Sequence, residues 1–315
     1  MNKNSRIFIA GHKGLVGSAV YRNFAKKGYK NLYIISKNKL DLKDSEKVNI
    51  YFKKNRIEYL IICAARAGGI LANSKYPVEF FNENILIQNS LLNAALKFNL
   101  KRTIFLGTSC IYPDKAKTPI MEEALLSDKL HPSNEAYAIA KIAGIKLCNA
   151  LYNQYKLDVV ALMPTNVYGA NDRYSEEMSH VIPAMILKFL KAKKSNKKTI
   201  ELWGDGSPKR EFIFSDDLAE AIYTVAKKKK KTLFEICGKK FPIINIGTKD
   251  IYSIKSLANI IKNKINFKGS IFFNKSYPNG VIEKDLNIDR IKKIGWKPYF
   301  SLSKGLDIVL KQLKI

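Results

Sequence analysis

Short apolar runs alternate with helically spaced segments over the first half of the chain. Residues 6–10 (RIFIA) are almost wholly apolar and end at Gly11, and residues 15–27 then bring apolar positions round with a helical period. The alternation continues with strands at 31–36 (NLYIIS), 59–64 (YLIICA), 103–106 (TIFL) and 159–163 (VVALM), the last stopped by Pro164. Helices at 45–55, 77–98 and 135–155 separate them. Apolar runs bounded by turn signals are the pattern of parallel strands covered on both faces. Strand and helix in regular alternation predict an α/β fold built on a Rossmann-type doubly wound parallel sheet.

After Tyr168-Gly169 the pattern loosens. Helices are expected at 183–191, at 216–227 with Ser215 as its cap, and at 256–265. Strands are expected at 200–203, followed by a Gly-Asp-Gly turn, at 242–246 and at 271–274, with a loop over 276–284. This predicts a first domain over 1–165 and a smaller α+β domain, mainly over 166–315, that is discontinuous because about 213–247 returns to the first sheet. No internal repeat is visible, and the one low-complexity stretch is the five lysines at 227–231.

Composition changes this picture little. A chain of 315 residues that is 46% hydrophobic is neither disordered nor a small stapled fold. The charge is the unusual feature: 55 Lys and Arg against 27 Asp and Glu give +28, which invites a polyanion-binding or membrane-surface reading. The basic residues are scattered, however, and Lys, Ile and Asn are all abundant, which points to compositional bias. Cys63, Cys110, Cys148 and Cys237 form no C-x-x-C pair and have no metal-ligand spacing with His12, His131 or His180, so no metal is expected. The apolar run at 7–10 is too short for a signal peptide, and no stretch approaches the roughly 18 apolar residues of a membrane span. The expectation is a soluble, reduced, cytoplasmic protein with neither nucleic acid nor membrane as partner.

Three features carry chemistry. Gly11-His12-Lys13-Gly14-Leu15-Val16-Gly17 lies between the first strand and first helix, where glycines permit a tight turn and a helix N-terminus meets a pyrophosphate. A dinucleotide site selective for NAD often has an acid near the end of the second strand; here Ser36-Lys37-Asn38 stands there. Lys13 and Lys37 can both meet a 2′-phosphate, which favours NADP(H), or both belong to the lysine-rich surface. Tyr137 and Lys141 share one face of a helix, so an ammonium can lower the phenol's pKa and let it exchange a proton with a carbonyl oxygen during hydride transfer. Finally, Thr108 ends the fourth strand, where its hydroxyl can hydrogen-bond the same oxygen.

The stretches FIAGHKGLVGSA, AARAGGILAN, LGTSCIYP, EAYAIAKIAGIKLC, MPTNVYG, SHVIPA and WGDGSPKREF resemble the extended short-chain dehydrogenase/reductases, and among them the GDP-L-fucose synthase family. The resemblance runs from Phe8 to Phe212, with a weaker echo to Trp296. It implies NADPH-dependent epimerisation at C3 and C5 of a GDP-4-keto-6-deoxy sugar, then hydride reduction at C4. It implies Cys110 and His180 as the epimerising pair, with Tyr137 as proton donor supported by Thr108 and Lys141. It carries Ala64, Ala65, Leu106, Gly107, Pro164, Asn166, Val167 and His180 to the cofactor site beside the glycine loop and Lys37. Asn166, Lys188, Trp203, Arg210, Asn279 and Lys284 are carried to the nucleotide sugar, making 1–165 the NADP-binding domain and 166–315 mainly the nucleotide-sugar domain. The family is usually a homodimer, here through helices 77–98 and 135–155. The chain departs from the pattern with Thr108 for Ser, Lys13 and Lys188 for Arg, and Asn279 for Asp. A related activity, C4 reduction of a GDP-4-keto-heptose with or without epimerisation, stays open, as does a non-catalytic Rossmann protein.

Overall fold

The computed structural model describes residues 1–276 and 282–314. The first half runs β1 (Ile7–Ala10), α1 (Leu15–Lys26), β2 (Leu32–Tyr33), α2 (Ser45–Asn55), β3 (Tyr59–Ile62), α3 (Ile70–Lys75), α4 (Pro77–Lys97), β4 (Arg102–Leu106), α5 (Glu135–Tyr155) and β5 (Val159–Pro164). The second runs β6 (Asn166–Tyr168), α6 (Val181–Lys194), β7 (Thr199–Trp203), β8 (Lys209–Phe214), α7 (Ser215–Lys227), α8 (Lys230–Ile236), β9 (Ile243–Ile246), β10 (Ile251–Ser253) and α9 (Ile254–Ile265). It ends with β11 (Ser270–Asn274), β12 (Glu283–Lys284), α10 (Asp289–Ile294) and α11 (Leu302–Gln312).

Six strands form one parallel sheet in the order β2-β1-β3-β4-β5-β9. The chain leaves β1 in one direction to make β2, then crosses back to make β3, so the order reverses beside β1. The carboxyl ends of β1 and β3 therefore part into a crevice, the place where open α/β sheets bind ligands. The apolar strands expected from the sequence are buried on both faces, β1, β4 and β5 throughout. β2 is shorter than expected: among the described residues only Leu32 and Tyr33 pair with β1, and the strand has no second neighbour there to hold residues 34–36 in the ladder.

Two hydrophobic clusters hold the chain together. The larger surrounds the six-stranded sheet and includes Phe8, Phe24, Phe52 and Phe105. The second gathers Tyr168, Phe189, Phe212, Phe214, Ile261 and Leu306 from α6, α9, α11 and the strands β6 and β8. The small sheet there joins β8 to β6, β10 and β12, and β7 pairs with β11. Several of these elements escape the sequence pattern. Lys209-Arg210-Glu211 opens β8 with three charges, and β6 and β12 are too short to show a period. Ser215 is not a cap: α7 begins at Ser215, its N-cap is Phe214, and no side chain caps it. Lysines 230 and 231 fall inside α8 rather than in a featureless run. Among the described residues, no helix is long and apolar enough to cross a membrane.

Arg102 ties the sheet to its helices. Its side chain, 7% exposed, pairs with Asp158 at 2.8 Å and donates to the carbonyls of Val225 and Ala226 at the end of α7. Replacing it with Met removes these hydrogen bonds and leaves Asp158, whose side chain is only 17% exposed, without its ion-pair partner. Arg102→Met is expected to lower unfolding stability by about 3 kcal/mol in denaturant titration.

Candidate active site

The cofactor cradle forms at the reversal of the sheet. Gly11 has φ +88°, and a Cβ there would lie 2.7 Å from the backbone nitrogen of Ala64 at the end of β3. A Cβ on Gly17 would lie 2.1 Å from the carbonyl oxygen of Gly11. Only glycine lets the loop close this tightly against both β3 and α1. The N-cap of α1, Gly14, offers no side-chain hydrogen bond, and the first turn holds no acid. Leu15 and Val16 open that turn, whose N–H groups and positive dipole end are thus left for an anion. The geometry suits a dinucleotide pyrophosphate. His12 sits in the loop with its pKa lowered, first by desolvation and then by Lys13. Lys13 is exposed beside it, and Lys37 is exposed in the turn beyond β2.

The strip from β4 to α5 carries six of the expected residues: Leu106, Gly107, Thr108, Cys110, Tyr137 and Lys141. β4 ends at Leu106, and the chain passes through buried Gly107 to Thr108. The Thr108 hydroxyl accepts the backbone N–H of Cys110 at 3.2 Å, so it caps the tight turn that carries the thiol. Tyr112 buries its ring after that turn and donates its hydroxyl proton to Asn245 Oδ1 at 2.6 Å. Asn245 in turn donates its N–H to Glu122, which anchors the far side of the loop to β9. Across the strip, Lys141 is buried and donates from Nζ to the Leu106 carbonyl at 2.8 Å, above the Phe105 ring. Burial brings its pKa down to about 8, against the opposing pull of Cys63 and Cys148.

Tyr137, one turn before Lys141, packs edge-on against Phe80 of α4. Its phenol does not behave as the sequence reading expects. Burial, with a smaller contribution from Cys110, pushes its pKa up rather than down. The ammonium of Lys141 points instead at the Leu106 carbonyl.

The cationic wall of the site comes from the small sheet. Arg210 in β8 and Lys284 in β12 are register partners, so their side chains share a face. Desolvation lowers the pKa of both, and both feel the Cys110 thiol; Lys284 also feels Arg210 and Asp114. Asn166, just beyond Pro164 and beside Val167, donates from Nδ2 to the Glu211 carbonyl at 2.9 Å. Farther out, Lys188 sits 5.5 Å from the centre of the Trp203 ring and donates to the Glu201 carbonyl. His180 is the N-cap of α6 and is open to solvent, yet enough protein surrounds the ring to lower its pKa below 6.5, with Arg173 adding to the effect. The loop holding Ala65 meets the segment before His180 through Gly69 N–H to the Met178 carbonyl. Asn279 lies outside the described residues.

The sequence reading assigned no role to Glu211, although it lies in the stretch WGDGSPKREF. An acid directly before the apolar run Phe-Ile-Phe was the available signal. Nor did it single out Asn84, whose side chain grips the backbone of Arg66 from both sides.

The family model for the NAD dependent epimerase/dehydratase family matches residues 7–247. The GDP-L-fucose synthase of Escherichia coli (strain K12) is 40% identical over 96% of this chain and 94% of its own length. The crystal structure of a GDP-6-OMe-4-keto-L-xylo-heptose reductase from C. jejuni superposes with a TM-score of 0.93 at 34% identity, covering 100% of this chain and 99% of that one. A GDP-mannoheptose C4 reductase from Campylobacter jejuni with NADP bound superposes with a TM-score of 0.88 at 34% identity, covering 100% of both chains. The chain therefore belongs to the NAD dependent epimerase/dehydratase family, in the branch of extended short-chain dehydrogenase/reductases that holds the GDP-L-fucose synthases.

Proposed function

We propose that the protein is an NADPH-dependent epimerase/reductase acting on a GDP-4-keto-6-deoxy sugar, with the activity of a GDP-L-fucose synthase. The observation that carries this reading is the position of Cys110. The thiol sits in the turn capped by Thr108, within electrostatic reach of Tyr137, Arg210 and Lys284. A plain ketone reductase needs Tyr137 but has no use for a thiol beside it.

NADPH, when bound, supplies a hydride to C4. Gly11, Gly14 and Gly17 receive its pyrophosphate with the first turn of α1, and Lys13 and Lys37 take the 2′-phosphate. Ala64, Ala65, Leu106, Gly107, Pro164, Asn166 and Val167 line its path along the strand ends. Arg210 and Lys284 hold the sugar nucleotide's diphosphate, with Trp203 and Lys188 at its rim. A C4 ketone acidifies the protons at C3 and C5, and inversion needs one group to take a proton and another to return one on the opposite face. His180, neutral near pH 7 because its pKa is lowered, suits the first task, and Cys110 the second. Tyr137 then gives its proton to the C4 oxygen as hydride arrives, while the Thr108 hydroxyl donates a hydrogen bond to the same oxygen.

A second reading is favoured by the heptose reductase superposing at TM-score 0.93: reduction at C4 of a GDP-4-keto-heptose. The same residues serve it, without the need for Cys110 or His180. All four cysteines are free, which suits a reducing compartment, and we place the protein in the cytoplasm. We further propose a homodimer through α4 and α5, which pack on each other and leave Val78, Phe81, Leu86 and Ile139 exposed.

Four outcomes are expected. In deuterated water, mass spectrometry of the product from GDP-4-keto-6-deoxy-mannose and NADPH shows deuterium at C3 and C5; Cys110→Ser and His180→Gln remove the label. Tyr137→Phe slows NADPH oxidation by about 10²–10⁴-fold. An unlabelled product from the wild type rejects the epimerase and leaves the heptose reading. Because protonation disables His180 as a base, label incorporation falls on the acid side with a midpoint below pH 6.5. A midpoint above that value contradicts the assignment. Light scattering gives a dimer for the wild type and a monomer for Leu86→Lys.

A further inference from the structure

Glu211 is fully buried, with a relative exposure of 0%, and in strand alternation it points away from the face that carries Arg210. Its carboxylate takes three backbone N–H groups from two separate segments. Oε1 accepts from Thr248 at 2.6 Å and from Lys249 at 2.8 Å. Oε2 accepts from Leu286 at 3.0 Å. Thr248 and Lys249 follow β9, the last strand of the parallel sheet, and Leu286 lies two residues beyond Lys284. The carbonyl of Glu211 adds a third attachment, accepting from Thr165 Oγ1 at 3.0 Å and Asn166 Nδ2 at 2.9 Å at the end of β5. Gly247 leaves the room: a Cβ there would lie 2.4 Å from Oε1.

The register pair of Arg210 and Lys284 is short, since among the described residues β12 holds two residues and pairs with β8 at Lys209 and Arg210. Two desolvated cations on one face repel each other and tend to part. Glu211 adjoins Arg210 covalently and grips the backbone just past Lys284, so it opposes that parting and fastens both strands to the cofactor sheet.

We infer that Glu211 is a positioning residue whose carboxylate holds Arg210 and Lys284 at the spacing that grips a nucleoside diphosphate. This rests on the reading of that pair as the diphosphate subsite. A glutamine keeps the shape but has one acceptor oxygen, so its NH₂ must face the Thr248 and Lys249 donors or the Leu286 donor. One side of the clamp then opens, while the cradle at Gly11–Gly17 is untouched.

The test is titration calorimetry of wild type, Glu211→Gln and Glu211→Asp with GDP, UDP, dTDP and NADPH, alongside thermal unfolding. Glu211→Gln is expected to weaken GDP about tenfold, the scale of one buried donor left unpaired, with NADPH affinity held within about twofold. Unchanged GDP affinity, or equal loss of GDP and NADPH, overturns the inference. Should the Gln variant fail to fold, Glu211→Asp, which keeps the charge but shortens the reach, is judged by the same two criteria. If the wild type binds UDP or dTDP and not GDP, the proposed substrate is wrong and the criteria apply to the nucleotide bound. If it binds none of them, there is no diphosphate subsite and the inference falls.

Discussion

The hydrogen bond from Lys141 to the carbonyl of Leu106 is the point on which the catalytic strip depends. Burying an ammonium is costly, and its pKa of about 8 reflects that cost. A charge-assisted hydrogen bond to a carbonyl at the end of a central strand offsets part of it. In return, α5 is fixed against the end of β4. Tyr137 is one helical turn away on one side of this link, and Thr108 and Cys110 follow within four residues on the other. The proton donor and the thiol are therefore set relative to each other by one buried contact. The long α5 and its partner α4 supply the stiffness that a single hydrogen bond cannot, with Gln88 reaching from α4 to the Ala140 carbonyl.

Much of the first half was legible because its physics is local. A strand buried on both faces must be apolar throughout, and a helix packed on a sheet must repeat near 3.6 residues. Segments such as 45–55 and 135–155 match α2 and α5 end to end. The glycine loop was legible for the same reason, since a loop that closes against Ala64 admits no Cβ. What escaped was nonlocal. β8 opens with three charged residues, and only its partners β6, β10 and β12 make it a strand. The C-terminal helices α10 and α11 also went unread, although Leu302, Leu306 and Val309 bury one face of α11.

The candidate site divides along the same line. Types and spacing within one element, such as Tyr137 and Lys141, could be read from the chain. How those side chains are used could not. An i,i+4 pair suggests a lysine acting on a tyrosine, but the backbone carbonyl at Leu106 takes the ammonium and burial governs the phenol. Glu211 illustrates the same limit. Its three donors come from residues 248, 249 and 286, none of which neighbours it in sequence.

That spread has a consequence for how the protein comes into being. All six strands of the parallel sheet have been made once the chain reaches Ile246, as have Gly11, Gly17 and Ala64 of the cradle, while Leu286, Ile291 and Trp296 join the sheet's core later. The cationic wall has to wait for Lys284 and Leu286. On a ribosome, where synthesis runs from the N-terminus, the residues of the cradle are therefore made before the two cations of the wall. The two halves of the crevice thus differ in the order in which their residues are made, separated by the stretch from Ile246 to Lys284.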